Sequence, residues 1–273
     1  MNAGPLLINL LVTAVAVTAT MLATMAYALR TRTQSIVDTV WGLGFVVIAA
    51  VTFAASAIQG EGLTARRVVV LVLTAVWGLR LGAHIHRRNR GHGEDPRYAA
   101  LMRRNTGPVA PYVLRTIYWP QGAIMWVVSL PVQVAMYEPA ALGVVTWAGI
   151  AVWTVGFLFE AVGDRQLARF KADPGNQGKV MDRGLWAWTR HPNYFGDATV
   201  WWGLFLVACS HWTGLLTVVA PMLMTHMLVN RSGKALLERQ MARRRGPEYT
   251  DYLARTSGFL PRPPKRRPAG ARP

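Results

Sequence analysis

Residues 184–203, GLWAWTRHPNYFGDATVWWG, hold the densest set of side chains able to do chemistry: Arg190, His191, Asn193, Tyr194 and Asp197, where a charged loop runs into an apolar block. A guanidinium at such a place grips phosphate or carboxylate oxygens through paired hydrogen bonds, an imidazole moves protons near neutral pH, and an amide beside a carboxylate suits hydroxyl groups. Pro192 stiffens the backbone and Gly196 lets it turn, so these polar groups have reason to face something other than lipid. Upstream, Glu160 and Asp164 stand four residues apart and would share a helical face, with Lys171 and Arg183 following in the same loop. The plainer reading is an interfacial belt, because His, Asn, Tyr and Trp gather at headgroup depth in many membrane proteins without any ligand.

Asp38 is the only acidic residue near the start of the second apolar run, and a carboxylate in the membrane is costly enough to count as a functional candidate. Gln34, Asp38, Trp41 and Phe45 recur at helical spacing, which lines an amide, a carboxyl group and two aromatic faces along one side. Equally, Asp38 has ordinary partners to hand in Arg30, Arg32 or Arg80. The third apolar run ends in Arg80, His84, His86, Arg87, Arg88 and Arg90, followed by GHGEDPRY at 91–98, which contains Arg97 and Tyr98. Arginines at a helix end suit an anionic ligand, and they are also the usual cytoplasmic marker of a membrane helix. No metal is expected: two histidines at i and i+2 do not share a helical face, and no carboxylate or cysteine stands at ligand spacing to His84, His86 and His92.

These side chains must be positioned by helices that cross a bilayer. Of the 273 residues 52% are hydrophobic and only 16% are charged, a balance that fits a membrane protein and not a soluble domain of this length. A span needs about 20 apolar residues, and the sequence offers such runs at 6–29, 35–57, 68–84, 113–136 and 139–162. The block 196–229 is too long for one untilted span and is interrupted by Ser210, His211, Trp212 and Thr213, so it reads as two short helices joined by a turn. The expected fold is all-α, a polytopic membrane protein of about seven transmembrane helices.

Charge supplies an orientation. With the N-terminus outside, 26 of the 30 Lys and Arg fall in cytoplasmic segments, against only Arg66 and Arg67 outside, while Arg80 and Arg115 sit within or beside spans and can snorkel. This alternation places the C-terminus in the cytoplasm and implies the cell inner membrane, with the active site facing the cytoplasm. The net charge of +17 is then a topology signal, so no nucleic-acid partner is expected. The single cysteine, Cys209, excludes internal disulfides and reads as a small buried apolar residue. The first apolar run is far longer than a signal core and is expected to remain as the first span. Residues 1–260 read as one integral membrane domain, ending in an amphipathic helix at 232–245, a short helix opened by Pro247 and a stop at Gly258. The basic stretch 261–273 is expected to be disordered and within reach of anionic lipid headgroups.

The segments SIVDTVWG around Asp38, WGLRLGAHIHRRNRG at the end of the third run, GLWAWTRHPNYFGDATVWWG, and SGKALLERQMARRRGPEYTDYLARTSGFLP near the C-terminus together resemble the steroid 5-alpha-reductase-like family, in its bacterial DUF1295-type branch of unknown substrate. The likeness runs from about Gln34 to Pro261 and is strongest in the C-terminal half. It implies a seven-helix membrane reductase that binds NADPH in a cavity open to the cytoplasm and reduces an activated carbon–carbon double bond of a lipophilic small molecule. Carried onto this sequence, cofactor contacts would fall on Asp164, Lys171, Arg183, Asn193 and Asp197, with Arg190, His191 and Tyr194 in the same segment and Arg87 and Arg97 as phosphate partners. In steroid reductases an acidic residue on the second helix and a tyrosine after the third hold the substrate oxygen, with an adjacent Gln and Glu on the second helix. This sequence lacks that adjacent pair. Asp38 is the counterpart with Gln34 a turn away, and the tyrosine's role falls to His84 or Tyr98. Beyond substrate and membrane lipids, no obligate protein partner is implied.

A different class stays open. Isoprenylcysteine carboxyl methyltransferases and their phospholipid-methylating relatives also carry an RHPxYxG-like segment, which binds S-adenosylmethionine, and residues 190–196 match it well. The acidic residue after Gly196, the N-terminal half with Asp38 and the supply of Lys and Arg fit a phosphate-rich dinucleotide better. A scaffold or transporter would leave the polar constellation without a ligand.

Overall fold

The computed structural model describes residues 2–231 and 234–265, and among these there are helices and turns but no strand beyond an isolated bridge between Thr189 and Ser257. In chain order the helices are α1 (Ala3–Thr31), α2 (Ile36–Ile58), α3 (Thr64–Asn89), α4 (Pro96–Met102), α5 (Val109–Val113), α6 (Trp119–Val128), α7 (Leu130–Met136), α8 (Val144–Ala172), α9 (Leu185–Trp188), α10 (Pro192–Ala208), α11 (Trp212–Leu215), α12 (Val219–His226) and α13 (Lys234–Arg255).

The solvent these helices are built for is read from α1. Its buried face is Asn9, Thr13, Val17, Met21, Thr24 and Ala28, while Leu7, Leu11 and Val15 stand 60%, 70% and 69% exposed on the other side. Polar and small groups inward with large aliphatic groups outward would be unfavourable in water and is the ordinary arrangement in lipid. The protein is therefore an all-α polytopic membrane protein. Five segments are long and apolar enough to cross a bilayer: α1, α2, α3, α8 and Trp212–Asn230. The other two expected spans are helical but not continuous or long. Residues 113–136 carry a π-helical stretch at Leu114–Tyr118 just before Pro120 and a turn at Ser129 just before Pro131, because each of these prolines removes a backbone donor, so that α6 and α7 follow as short pieces. α10 has 17 residues, roughly 26 Å, slightly less than the hydrocarbon thickness of about 30 Å. α8 starts later than expected and runs on to Ala172, since no Gly or Pro interrupts residues 164–172, so Glu160 and Asp164 share a helix as expected, while Lys171 lies on that helix and not in a loop.

The chain forms two compact units. The first comprises the residues up to Trp147 together with Phe205–Ala220, the second Ala148–Leu204 together with the chain from Pro221 onward. In the first, α2 and α3 meet backbone to backbone: a Cβ on Gly42 would lie 2.5 Å from the Gly78 carbonyl oxygen, so only glycine allows the approach. Polar side chains tie the remaining helices. Asn9 and Thr13 on α1 donate to Gln133 Oε1 on α7 at 3.1 and 2.7 Å, and Gln133 donates to Ser129 at 2.8 Å. Arg66, expected in an outer loop, is instead fully buried and donates to the carbonyls of Val207, Ala140 and Ala141 and to the Ser210 hydroxyl.

In the second unit α8 and α10 cross closely, since a Cβ on Gly156 would sit 2.6 Å from the Val200 nitrogen and 2.7 Å from the Gly196 oxygen. α13 is two helical pieces joined at Gly246, whose φ of 56° and ψ of −136° suit glycine, with Pro247 next, as the sequence foretells. Ser232 and Gly233, where the first piece was expected to begin, lie outside the described residues. The expected disordered tail is held in place at its start: the Arg262 amide donates to Trp188 O and the Lys265 amide to Arg255 O. Residues 266–273 lie outside the described residues.

Candidate functional site

The first cluster belongs to the first unit and is assembled by three helix starts. Asp38 stands in the first turn of α2, where it accepts a hydrogen bond from the Tyr98 hydroxyl at 2.5 Å on one oxygen and from Arg97 at 2.7 Å on the other. Tyr98 and Arg97 come from the first turn of α4. Asp95 caps that helix by accepting from the Arg97 amide at 2.8 Å and also holds the Arg97 guanidinium. From α6, Gln121 donates to the Tyr98 oxygen at 3.4 Å. The carboxylate, the phenol and the arginine thus form one hydrogen-bonded set, with Asp38 and Tyr98 sixty residues apart in sequence.

Electrostatics follow from this packing. Burial pushes the Tyr98 hydroxyl well above the ordinary phenol range, and the charge of Asp38 and its hydrogen bond add to that, while the Gln121 amide pulls the other way. Partial burial would raise Asp95, but the hydrogen bonds and charge of Arg97 overcome it and hold Asp95 below the usual carboxylate range. Burial disfavours a charged Arg97, yet its bonds to Asp95 and the charge of Asp38 raise it further above its ordinary value. Tyr98 is therefore a proton-bearing donor at any physiological pH, with its proton on a carboxylate that an arginine also grips.

Gln34 lies just before α2 and is buried; its side-chain oxygen accepts from Tyr118 at 2.8 Å. Trp41 and Phe45 continue the same face as expected, edge to face at 5.5 Å, and Phe45 meets Trp77 in the same manner. Tyr118 also lines an apolar cleft of about 250 Å³ between α1 and α6, walled by Val17, Met21, Leu22, Trp119 and Trp126. His84 is half-buried on α3, and Arg87 is exposed with its guanidinium folded back on Ala83 O.

The second cluster lies in the second unit, where the α8–α10 crossing brings acidic and amide groups together. Asn193 donates to Asp164 at 3.1 Å, and Glu160, Asp164 and Asp197 are all buried. His191 stacks in parallel on Tyr194 with ring centroids 5.4 Å apart. Arg190 and His191, expected at a cofactor, converge instead on Glu238 of α13: Arg190 donates to it at 2.8 Å and His191 Nε2 lies 3.2 Å from the same oxygen. Arg190 also donates to the carbonyls of Leu253 and Thr256. Burial would raise Glu238, but the hydrogen bonds from His191 and Arg190 and the Arg190 charge bring it down to about 2. This pair is a clasp for the C-terminal helix, which explains why a loop so rich in ligand-type residues keeps a defined shape. Lys171 and Arg183 are exposed.

The structure thus joins Asp38 with Arg97 and Tyr98, and Asp164 with Asn193. It turns Arg190 and His191 toward Glu238. It gives Asp38 Arg97 as a partner, not the nearer Arg30 or Arg32. Glu94, Tyr118 and Gln121 were missed; the one signal was that Gln121 is one of two amides, with Gln133, in an otherwise apolar run, three residues after Tyr118. Among the described residues no three acidic, histidine or cysteine side chains gather at metal-binding distance.

The profile of a family described as a protein of unknown function (DUF1295) matches residues 24–256. The chain belongs to the DUF1295 family. This DUF1295 protein is also similar to the uncharacterized protein C594.04c of Schizosaccharomyces pombe, 24% identical over an alignment of 232 residues that covers 74% of the chain. The match spans 66% of that protein's length. No solved structure matches. Every residue of both clusters lies within the family match.

Proposed function

We propose that this DUF1295 protein is a membrane oxidoreductase of steroid 5-alpha-reductase-like type, which reduces a carbon–carbon double bond conjugated to a carbonyl in a lipophilic molecule with NADPH as donor. The observation that carries this is the Tyr98–Asp38 hydrogen bond. A phenol kept protonated by burial, pointed at a carboxylate and touched on its oxygen by an amide, is a donor ready for an oxygen that gains negative charge.

When bound, NADPH supplies a hydride. The protein's own groups do the rest: Tyr98 turns its proton from Asp38 to the substrate carbonyl oxygen, Arg97 continues to hold Asp38, and the Gln121 amide steadies the phenolic oxygen as charge builds. With the hydride on the far carbon of the double bond, a proton taken up from water at the carbon next to the carbonyl completes the saturation and returns the carbonyl. The apolar cleft beside Tyr118 supports a lipophilic substrate. The Asn193–Asp164 pair suits ribose hydroxyls or a carboxamide, and the exposed Lys171 and Arg183 suit phosphates. Arg190 and His191 fit less well, being engaged by Glu238. The charge distribution supports seven spans in the inner membrane, with the N-terminus outside and both clusters toward the cytoplasm.

One observation favours S-adenosylmethionine and methyl transfer as the second reading: Glu160, Asp164 and Asp197 are buried carboxylates, which suit a cationic sulfonium. Melting curves of the detergent-purified protein with NADPH, NADH or S-adenosylmethionine decide between them, since a ligand that binds only the folded chain raises its apparent stability. Stabilisation by NADPH is expected; stabilisation by S-adenosylmethionine alone would overturn the reductase assignment.

A further inference from the structure

Glu94 takes no part in the chemistry above, yet it touches both halves of the donor pair's framework. One carboxylate oxygen accepts from the Gln34 amide and the other from the Ser35 amide at 2.9 Å, where Ser35 is the residue that opens α2. The second oxygen also accepts from the Asp95 amide at 3.0 Å, and Asp95 is the residue that caps α4. A single side chain therefore clips the start of the helix that carries Asp38 to the start of the helix that carries Tyr98. Asp38 follows Gln34 by four residues and Tyr98 follows Glu94 by four, one helical turn in each case.

This placement has a physical basis. The first amides of a helix have no partner within it, and a carboxylate at that point satisfies them and is favoured by the helix dipole. Two glycines, Gly91 and Gly93, precede Glu94, and Gly91 has a φ of 79°. The loop thus has little stiffness of its own to fix where α4 begins. Without the clip, the distance between Asp38 and Tyr98 would rest on side chains at the surface, Arg97 among them with 42% of its side chain exposed.

We infer that Glu94 is a positioning residue, which fixes the Tyr98 hydroxyl on Asp38 by fastening the α3–α4 loop to the N-terminus of α2. Its catalytic consequence rests on the reductase assignment, but its structural consequence does not. The groups that face Tyr98 are Asp38 from α2, Arg97 from its own helix and Gln121 from α6.

The test uses full-length protein labelled with 3-fluorotyrosine in detergent, with the Tyr98 fluorine resonance assigned by its loss in Tyr98→Phe. In the unmodified chain this resonance should fail to titrate at a pH where free 3-fluorotyrosine in the same buffer is fully ionised. In Glu94→Ala it should shift and titrate at a lower pH than in the unmodified chain. Glu94→Gln, which keeps one acceptor oxygen, should fall between them and guards against loss of folding in the alanine variant. An unchanged Tyr98 resonance in both folded variants would refute the inference, whatever the activity. With NADPH and a long-chain α,β-unsaturated ketone, Glu94→Ala should lower kcat about 10- to 100-fold while the KM for NADPH stays put. In a Tyr98→Phe background the same change should have no further effect; an equal loss in both backgrounds would show that Glu94 does not act through Tyr98. Absence of turnover in the unmodified chain would count against the reductase assignment and leave the fluorine result to decide on Glu94.

Discussion

Replacing Tyr98 with phenylalanine removes one oxygen and leaves the ring. Asp38 then loses the 2.5 Å hydrogen bond but keeps Arg97 on its other oxygen, and the Gln121 amide loses its acceptor. A hydrogen bond to a charged group contributes about 1.5–3 kcal/mol, and the lower end applies here because the Asp38 side chain is 18% exposed and still paired. A melting temperature only a few degrees lower is expected. Turnover should suffer far more, since removing one oxyanion donor lowers kcat by about 10²–10³, or roughly 3–4 kcal/mol of transition-state stabilisation. The assay follows NADPH consumption by the detergent-purified protein with a long-chain α,β-unsaturated ketone, beside the NADPH-induced rise in melting temperature. The rise should be unchanged, because the cofactor is assigned to the Asn193–Asp164 pair and not to Tyr98. A Tyr98→Phe protein that turns over within about twofold of the unmodified chain would refute Tyr98 as the donor.

Asn193→Ala and Asp197→Ala should each abolish stabilisation by NADPH, whereas Asp38→Ala should keep it and lose turnover; melting curves and kinetics on the same preparations separate the two outcomes. Glu238, held at about 2 when folded, stabilises the chain above the ordinary carboxylate range, and that contribution is lost as pH falls from about 5 toward 2. The amount is at most about 3 kcal/mol, so Glu238→Gln should lower the melting temperature at neutral pH and flatten its fall in acid. Gly196→Ala would force a Cβ to 2.5 Å from the Gly156 oxygen. It should lower stability by about 1–3 kcal/mol, read as a lower melting temperature or reduced yield of folded protein.

The bounds of α1, α2 and α3 were legible within a few residues because uninterrupted apolar runs of the right length leave the backbone no other way to satisfy its hydrogen bonds in lipid. Residues 113–136 misled for a related reason. Apolarity reports depth in the membrane and says nothing of continuity, and two prolines, Pro120 and Pro131, interrupt the regular hydrogen bonding there. The end of α8 is hidden in the sequence because the polar residues after Val162 mark where the apolar run stops and not where the helix does; Asp164 to Ala172 contains only residues that helices tolerate. In the site, residue type identified Asp38 and Tyr98 but not their union, since a turn containing Gly91 and Gly93 brings them together and no local pattern encodes its path. Arg190 and His191 were legible as ligand-type groups and illegible as the partners of Glu238, which lies 48 residues further on and bears no sign of the contact.

The hydrogen bonds from Asn9 and Thr13 to Gln133 have a temporal side. Gln133 follows Asn9 by 124 residues, so at about 5–20 residues per second a ribosome delivers it roughly 6–25 seconds later. For that interval α1 is already synthesised; the Thr13 hydroxyl has the Asn9 and Leu10 carbonyls of its own helix at 2.9 and 3.0 Å, but the Asn9 amide lacks its eventual acceptor, a state that lipid tolerates poorly. The newborn helix must therefore be sheltered by the insertion machinery or borrow a nearer group, and Thr52 on α2, 3.4 Å from the Asn9 amide, is the first to be made. Order along the chain thus offers Asn9 its acceptor on α2 before its acceptor on α7.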